Sequence, residues 1–169
     1  MTSYIYDIAY ECIEMSAEKL DIEIDEESSN DLLTIIIASN INWQLTYTSS
    51  RKPTNTIPML RQVCDRCGGR LNVNHAELGS KLTACMQYHN ADRPAMGSTP
   101  ALIQELIMRK PDMDITYIHR IDGREYRLST PEIKSMLDGV PLDTPTAAQW
   151  LKEKIGEGLM RILLEKDFK

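Results

Sequence analysis

The sequence predicts a mainly α protein with small β elements, an α+β fold in three parts. A helical N-terminal part leads to a cysteine-rich centre and then to a C-terminal helix–β-hairpin–helix. Three observations point there. Apolar residues recur at helical spacing near the N-terminus, hydroxyl–proline pairs punctuate the last third, and one Asp-Gly pair separates two strand-like runs.

From Ser3 to Leu20, residues Ile5, Ile8, Cys12 and Met15 share one helical face, with Cys12 reading as a small buried hydrophobe. The acidic run from Asp21 to Glu27 reads as a solvated loop. Ser28 and Asp31 stand at capping-box spacing, which predicts a second helix burying Leu32, Leu33, Ile35, Ile36, Ile41 and Trp43. The stretch from Thr46 to Pro58, rich in Thr, Ser, Asn and Pro, reads as a linker or surface loop.

In the last third, Thr99-Pro100, Thr130-Pro131 and Thr144-Pro145 each suit an N-cap followed by proline at the first helical position. Helices are therefore expected to begin near 100, 131 and 145. Ile115 to Ile121 and Arg124 to Leu128 flank Asp122-Gly123, the turn pair of a two-residue hairpin. Alternation puts Tyr117, His119 and Ile121 on one face of it. The final helix, Pro145 to about Lys166, aligns Ala148, Leu151, Ile155, Ile162 and Leu163, while Gly156 and Gly158 weaken it and permit a close contact. The regions expected are 1–45 (helical), 46–58 (linker), 59–98 (zinc-binding module) and 99–169 (helix–hairpin–helix), compatible with one compact domain overall.

Composition bounds the function. With 42% hydrophobic and 26% charged residues in a chain of 169, the sequence is that of an ordinary folded protein. No apolar run approaches the ~18–20 residues of a membrane span. The N-terminus lacks a basic region followed by an apolar stretch, so a cytoplasmic or other intracellular location is expected. Net charge is −6, unevenly spread: −9 over residues 1–42, +4 over 43–100 and −1 over 101–169. The basic centre suits an anionic ligand, nucleic acid included, or matches the acidic N-terminal region.

The centre carries the chemistry. Cys64-Asp65-Arg66-Cys67-Gly68-Gly69 has the form of a zinc knuckle, two thiolates flanking a turn that glycine completes. Cys85 and His89 would share a face of a helix and supply the other ligands. The expectation is a structural Zn²⁺ held by Cys64, Cys67, Cys85 and His89, with His75 as the other candidate for the fourth position. In a reducing compartment such a pair is better explained by metal than by a disulfide.

The segment 60–93 resembles the HNH endonuclease superfamily, in particular its recombination endonuclease VII branch. The residues that carry the resemblance are Cys64-x-x-Cys67-Gly68, Val73-Asn74-His75, Leu82-Thr83-Ala84-Cys85 and His89-Asn90. The resemblance implies a treble-clef zinc fold, and in a nuclease it would make His75 the general base, with Asn74 before it and His89 or Asn90 on the catalytic metal. Two departures count against activity: Tyr88 stands where a fourth Cys is usual, and Asn74 where an Asp is usual.

The function expected is a non-enzymatic, zinc-stabilised accessory or regulatory protein docking onto a protein or nucleoprotein assembly, with enzymatic activity left uncertain. The first alternative is a metal-dependent DNA endonuclease of the HNH type. The second is a DNA-binding regulator, which requires Arg66, Arg70, Arg120 and Arg124 on one surface.

Overall fold

The computed structural model describes residues 1–43 and 55–164. One six-stranded mixed sheet runs through the molecule, with five helices among the described residues. The elements in chain order are α1 (Thr2–Glu14), β1 (Lys19–Glu27), β2 (Leu32–Ser39), α2 (Thr56–Arg66), β3 (Arg70–Ala76) and β4 (Gly79–Gln87). There follow α3 (Thr99–Arg109), β5 (Asp114–Ile121), β6 (Arg124–Ser129), α4 (Thr130–Met136) and α5 (Pro145–Leu164). Strand order is β3-β4-β2-β1-β5-β6, and only β1 and β5 pair in parallel.

The α+β class holds, while its small β elements are corrected to one large six-stranded sheet. Leu20, Ile22 and Ile24 on β1 alternate with Asp21, Glu23 and Asp25, so the acidic run is a half-buried strand and not a loop. The expected second helix is β2, whose Leu33, Ile35 and Ile37 are buried while Thr34 and Ile36 face the other way. A short run rich in β-branched residues packs as readily in a strand, and here the antiparallel partner is its own neighbour, Ile22 opposite Ile37. Ser28 caps no helix: its N–H and hydroxyl both donate to Asp122 Oδ1, at 2.7 and 2.8 Å.

The pleat sorts the sheet into two faces. One parity, with Leu20, Ile35, Leu82, Leu71, Tyr117 and Leu128, is buried beneath the helices in a single core. The other parity is left half exposed across β1, β2, β4 and β5. Helix α1 contributes Ile5, Ile8, Ala9, Cys12 and Ile13 to that core at amphipathic spacing.

The C-terminal third matches its reading closely. Asp122 and Gly123 sit at φ +47 and +80, the backbone of a two-residue hairpin turn. The helices begin at Thr99, Thr130 and Pro145. Ser98 rather than Thr99 caps α3, accepting from Ala101 N–H at 3.4 Å, and Thr144 caps α5, accepting from Ala147 N–H at 3.3 Å. Gly158 makes the close contact expected of it, against the ring of Tyr126 on β6, where a Cβ would collide. Most of the expected linker, residues 46–54, lies outside the described residues, and its last three residues, 56–58, open α2.

Candidate functional site

The helix layer and the sheet meet in a narrow slot lined by Ile8, Glu11, Cys12, Met15, Trp43 and Ile57. Three elements converge there. Helix α1 presents Ile8, Glu11, Cys12 and Met15 one turn apart, the chain leaving β2 delivers Trp43, and the first turn of α2 brings Ile57. Trp43, 3% exposed, forms one of its walls, and no water fits between them. Its indole N–H donates to Ser39 Oγ at 2.8 Å and its backbone N–H to Ser80 Oγ at 2.9 Å. Ser80 also bonds His75 Nδ1 at 2.9 Å, and His75 stands edge-on to the indole. Burial pushes the Cys12 thiol up to about 11, against the lowering effect of its bonds to Ser39 and Trp43. The slot is therefore apolar on its walls and polar at its base, with one carboxylate at its side.

A second group of polar side chains is sealed between β1 and β5. Tyr117 Oη lies 2.7 Å from His119 Nδ1, and His119 Nε2 lies 2.8 Å from Glu26 Oε1. Tyr117 and His119 are 1% and 4% exposed, so no substrate reaches them. Burial pushes the Glu26 carboxyl up, but the bond and charge of His119, the Tyr88 hydroxyl and Arg93 outweigh it and hold the carboxyl below its ordinary value. Burial drives the Tyr117 hydroxyl well above its ordinary value. This chain of bonds clamps the one parallel strand pair, Ile24 being opposite His119.

The expected zinc ligands do not converge. Among the described residues, no group of three or more His, Cys, Asp or Glu side chains forms a metal site. Cys64 and Cys67 lie at the C-terminal end of α2, fully buried on the helix side of the sheet. Cys85 is on β4, a strand and not a helix, and belongs to the opposite parity, paired with Arg70 and Thr34. Cys64 still feels the charges of Cys67 and Cys85, but the three thiols form no metal-binding group. His89 follows β4, and its Nδ1 and backbone N–H engage Asp31 Oδ1 at 3.0 and 2.8 Å. The zinc cofactor, the treble clef and the HNH resemblance are withdrawn on this geometry. A helix at 56–66 followed by a β-hairpin reproduces the cysteine spacing without the knuckle, and Gly69 serves a different end, packing so tightly on the Cys85 carbonyl that a Cβ would collide.

Comparison with known proteins gives little more. No known protein family matches the chain, and no curated protein does. Among solved structures, it aligns with the Aquifex aeolicus MutL ATPase domain complexed with ADP. The TM-score is 0.48 at 13% identity, over 82% of this chain and 68% of that one. The aligned structure is thus an ATPase domain and not a zinc-bearing HNH fold, and at this distance it assigns no activity.

The remaining expected residues scatter. His75 is bonded to Ser80 near the β3–β4 turn, and adjacent Asn74 points to the other face. Asn90, bonded to Gln87 and to Asp92 N–H, lies beyond the far end of β4, about 24 Å along the strand from Ser80. No nuclease centre can assemble from them, and that reading is withdrawn. Arg120 is held on the half-exposed face by Glu23 and Glu125 at 3.0 and 2.8 Å. Arg124, of the opposite parity, donates to the Ile121 carbonyl at 3.2 Å, while Arg66 ends α2 and Arg70 begins β3. Arg120 and Arg124 therefore face opposite sides of the sheet, not the one surface expected of a DNA-binding regulator, and the accessory zinc module falls with its zinc.

Sequence reasoning missed the slot. Its signal was present in part, since Ile8, Cys12 and Met15 were placed on one face of α1. Glu11 and Trp43 stay unconnected to them as long as Leu32 to Trp43 reads as a helix. No helix among the described residues is long and apolar enough to cross a membrane.

Proposed function

We propose that the chain binds a planar nitrogen heterocycle of the purine-base class in the slot between α1 and the sheet. The observation that supports this is the wall that Trp43 forms. A flat aromatic ring lines the slot beside Ile8, Met15 and Ile57, with its ring N–H satisfied by a buried hydroxyl, Ser39. An incoming base meets the same requirements: apolar contact on its faces and a hydroxyl at one edge. Binding takes place by exchange, the ligand entering as the indole leaves.

ADP, the ligand of the Aquifex domain, is a convenient purine probe; the reading rests on the slot alone. In a Trp150→Phe background, Trp43 is the only tryptophan. Titration with ADP and with adenosine is expected to give saturable red-shifted emission, matched by heat in calorimetry. Silence of both measurements up to about 1 mM, a free energy of only ~4 kcal/mol, overturns the proposal.

The two hydrogen bonds of Trp43 favour a second reading, in which the indole is a permanent part of the core and the slot takes no ligand. That reading expects wild type and Trp43→Ala both to be silent to purines. It also expects Trp43→Ala to lose about 3–5 kcal/mol of stability, as truncating a buried aromatic does.

A further inference from the structure

The sheet ends on β3 at one side and on β6 at the other, and the two edges differ in what they offer a further strand. Strands β3 and β4 meet in a two-residue turn with Ala76 opposite Gly79, so Arg70, Asn72, Asn74 and Ala76 exchange backbone bonds with β4. Leu71, Val73 and His75 therefore turn their N–H and C=O groups away from the sheet. The Leu71 carbonyl shows the direction, accepting from Arg61 of α2 at 2.8 Å. Among the described residues, the outward backbone groups of Val73 and His75 meet no partner.

On β6 the Asp122-Gly123 turn sets Ile121 opposite Arg124, so the same count turns Glu125, Arg127 and Ser129 outward. A second copy added there about a two-fold axis would set Arg127 against itself, and like charges directly opposite repel. Strand β3 has no such guard. One symmetric register joins all three of its outward residues, with Val73 opposite Val73 and Leu71 opposite His75. In that register Asn72 and Asn74, both exposed, fall opposite each other. Arg70, the one Arg, Lys, Asp or Glu of the strand, falls opposite Ala76. Amides that donate and accept thus meet amides, and no charge meets its like.

We propose that β3 is a dimerisation edge, where a second copy of this chain adds its own β3 antiparallel about a two-fold axis through Val73. Each Val73 exchanges N–H and C=O bonds with the partner's Val73. The Leu71 carbonyl passes from Arg61 to the N–H of the partner's His75. The contact is isologous, so it closes at two copies. It is one strand wide, and the dimer is accordingly weak and concentration-dependent. None of the joining residues lines the Trp43 slot, so dimerisation and purine binding are separable.

Analytical ultracentrifugation of the whole chain from about 10 μM to about 1 mM is expected to show a monomer–dimer equilibrium. A monomer throughout, or a larger species, overturns the proposal. The register is tested on the two exposed amides, where substitution spares the core. Asn72→Asp with Asn74→Asp sets carboxylates opposite one another twice and is expected to weaken the dimer about three- to tenfold. Asn72→Asp with Asn74→Lys sets opposite charges there and is expected to restore it. Equal affinity in the two double variants overturns the proposal. Val73→Pro removes an N–H that β4 does not use, so the fold is expected to survive and the dimer to be lost. A Val73→Pro chain that is folded by circular dichroism and still dimerises overturns the proposal as well.

Discussion

Glu26, His119 and Tyr117 illustrate how single side chains carry stability here. The Glu26 carboxyl is held below its ordinary value, so its contribution is fully present above that ordinary value of about 4.5 and is lost as pH falls through the lower, folded value. Glu26→Gln keeps the volume and an acceptor for His119 but removes the charge. It is expected to cost about 1–3 kcal/mol at neutral pH, with the gap to wild type closing in acid. Urea unfolding at about pH 7 and about pH 3 checks this; an equal gap at both contradicts the charge argument. His119 and Tyr117 were legible as residues of one hairpin face, because alternation in β5 is strict. Their partner Glu26 was not, since it reaches them from a strand 93 positions away in sequence.

Among the elements, α5 gives the clearest experiment. Gly158 packs against the Tyr126 ring, whereas a Cβ at Gly156 would meet nothing within 4 Å. Gly158→Ala is expected to push α5 off β6 at a cost of about 1–3 kcal/mol, the usual penalty of overpacking. Gly156→Ala is expected to stabilise by up to about 1 kcal/mol through helix propensity alone. Thermal melts of the two variants should move in opposite directions, and a shared direction would contradict the packing. The helix was legible from its Thr-Pro start and apolar spacing. Which glycine touches the sheet depends on where Tyr126 lies.

At the scale of the molecule, one sheet draws strands from the N-terminal, central and C-terminal regions, joined by the parallel β1–β5 pair. Among the described residues no three cysteine, histidine or acidic side chains form a metal-binding group. Treatment with a strong chelator is accordingly expected to leave the thermal midpoint unchanged, and Cys64→Ser is expected to act only as a buried substitution. A chelator-induced drop of several degrees would restore a structural metal.

Local signals were enough for what depends on neighbours along the chain. Pro after a hydroxyl residue starts α3, α4 and α5, Asp122-Gly123 turns the hairpin, and the 3.6-residue spacing of Ile5, Ile8 and Cys12 marks α1. Tertiary structure alone decided the rest. The run Leu32 to Ser39 satisfies helix and strand alike until a partner strand supplies its hydrogen bonds on either side. The cysteine spacing likewise fits a knuckle or a helix followed by a hairpin. Which one forms depends on burial: α2 packs against β3 and β4, and Cys85 lies on a strand of the sheet rather than on a helix beside Cys64 and Cys67.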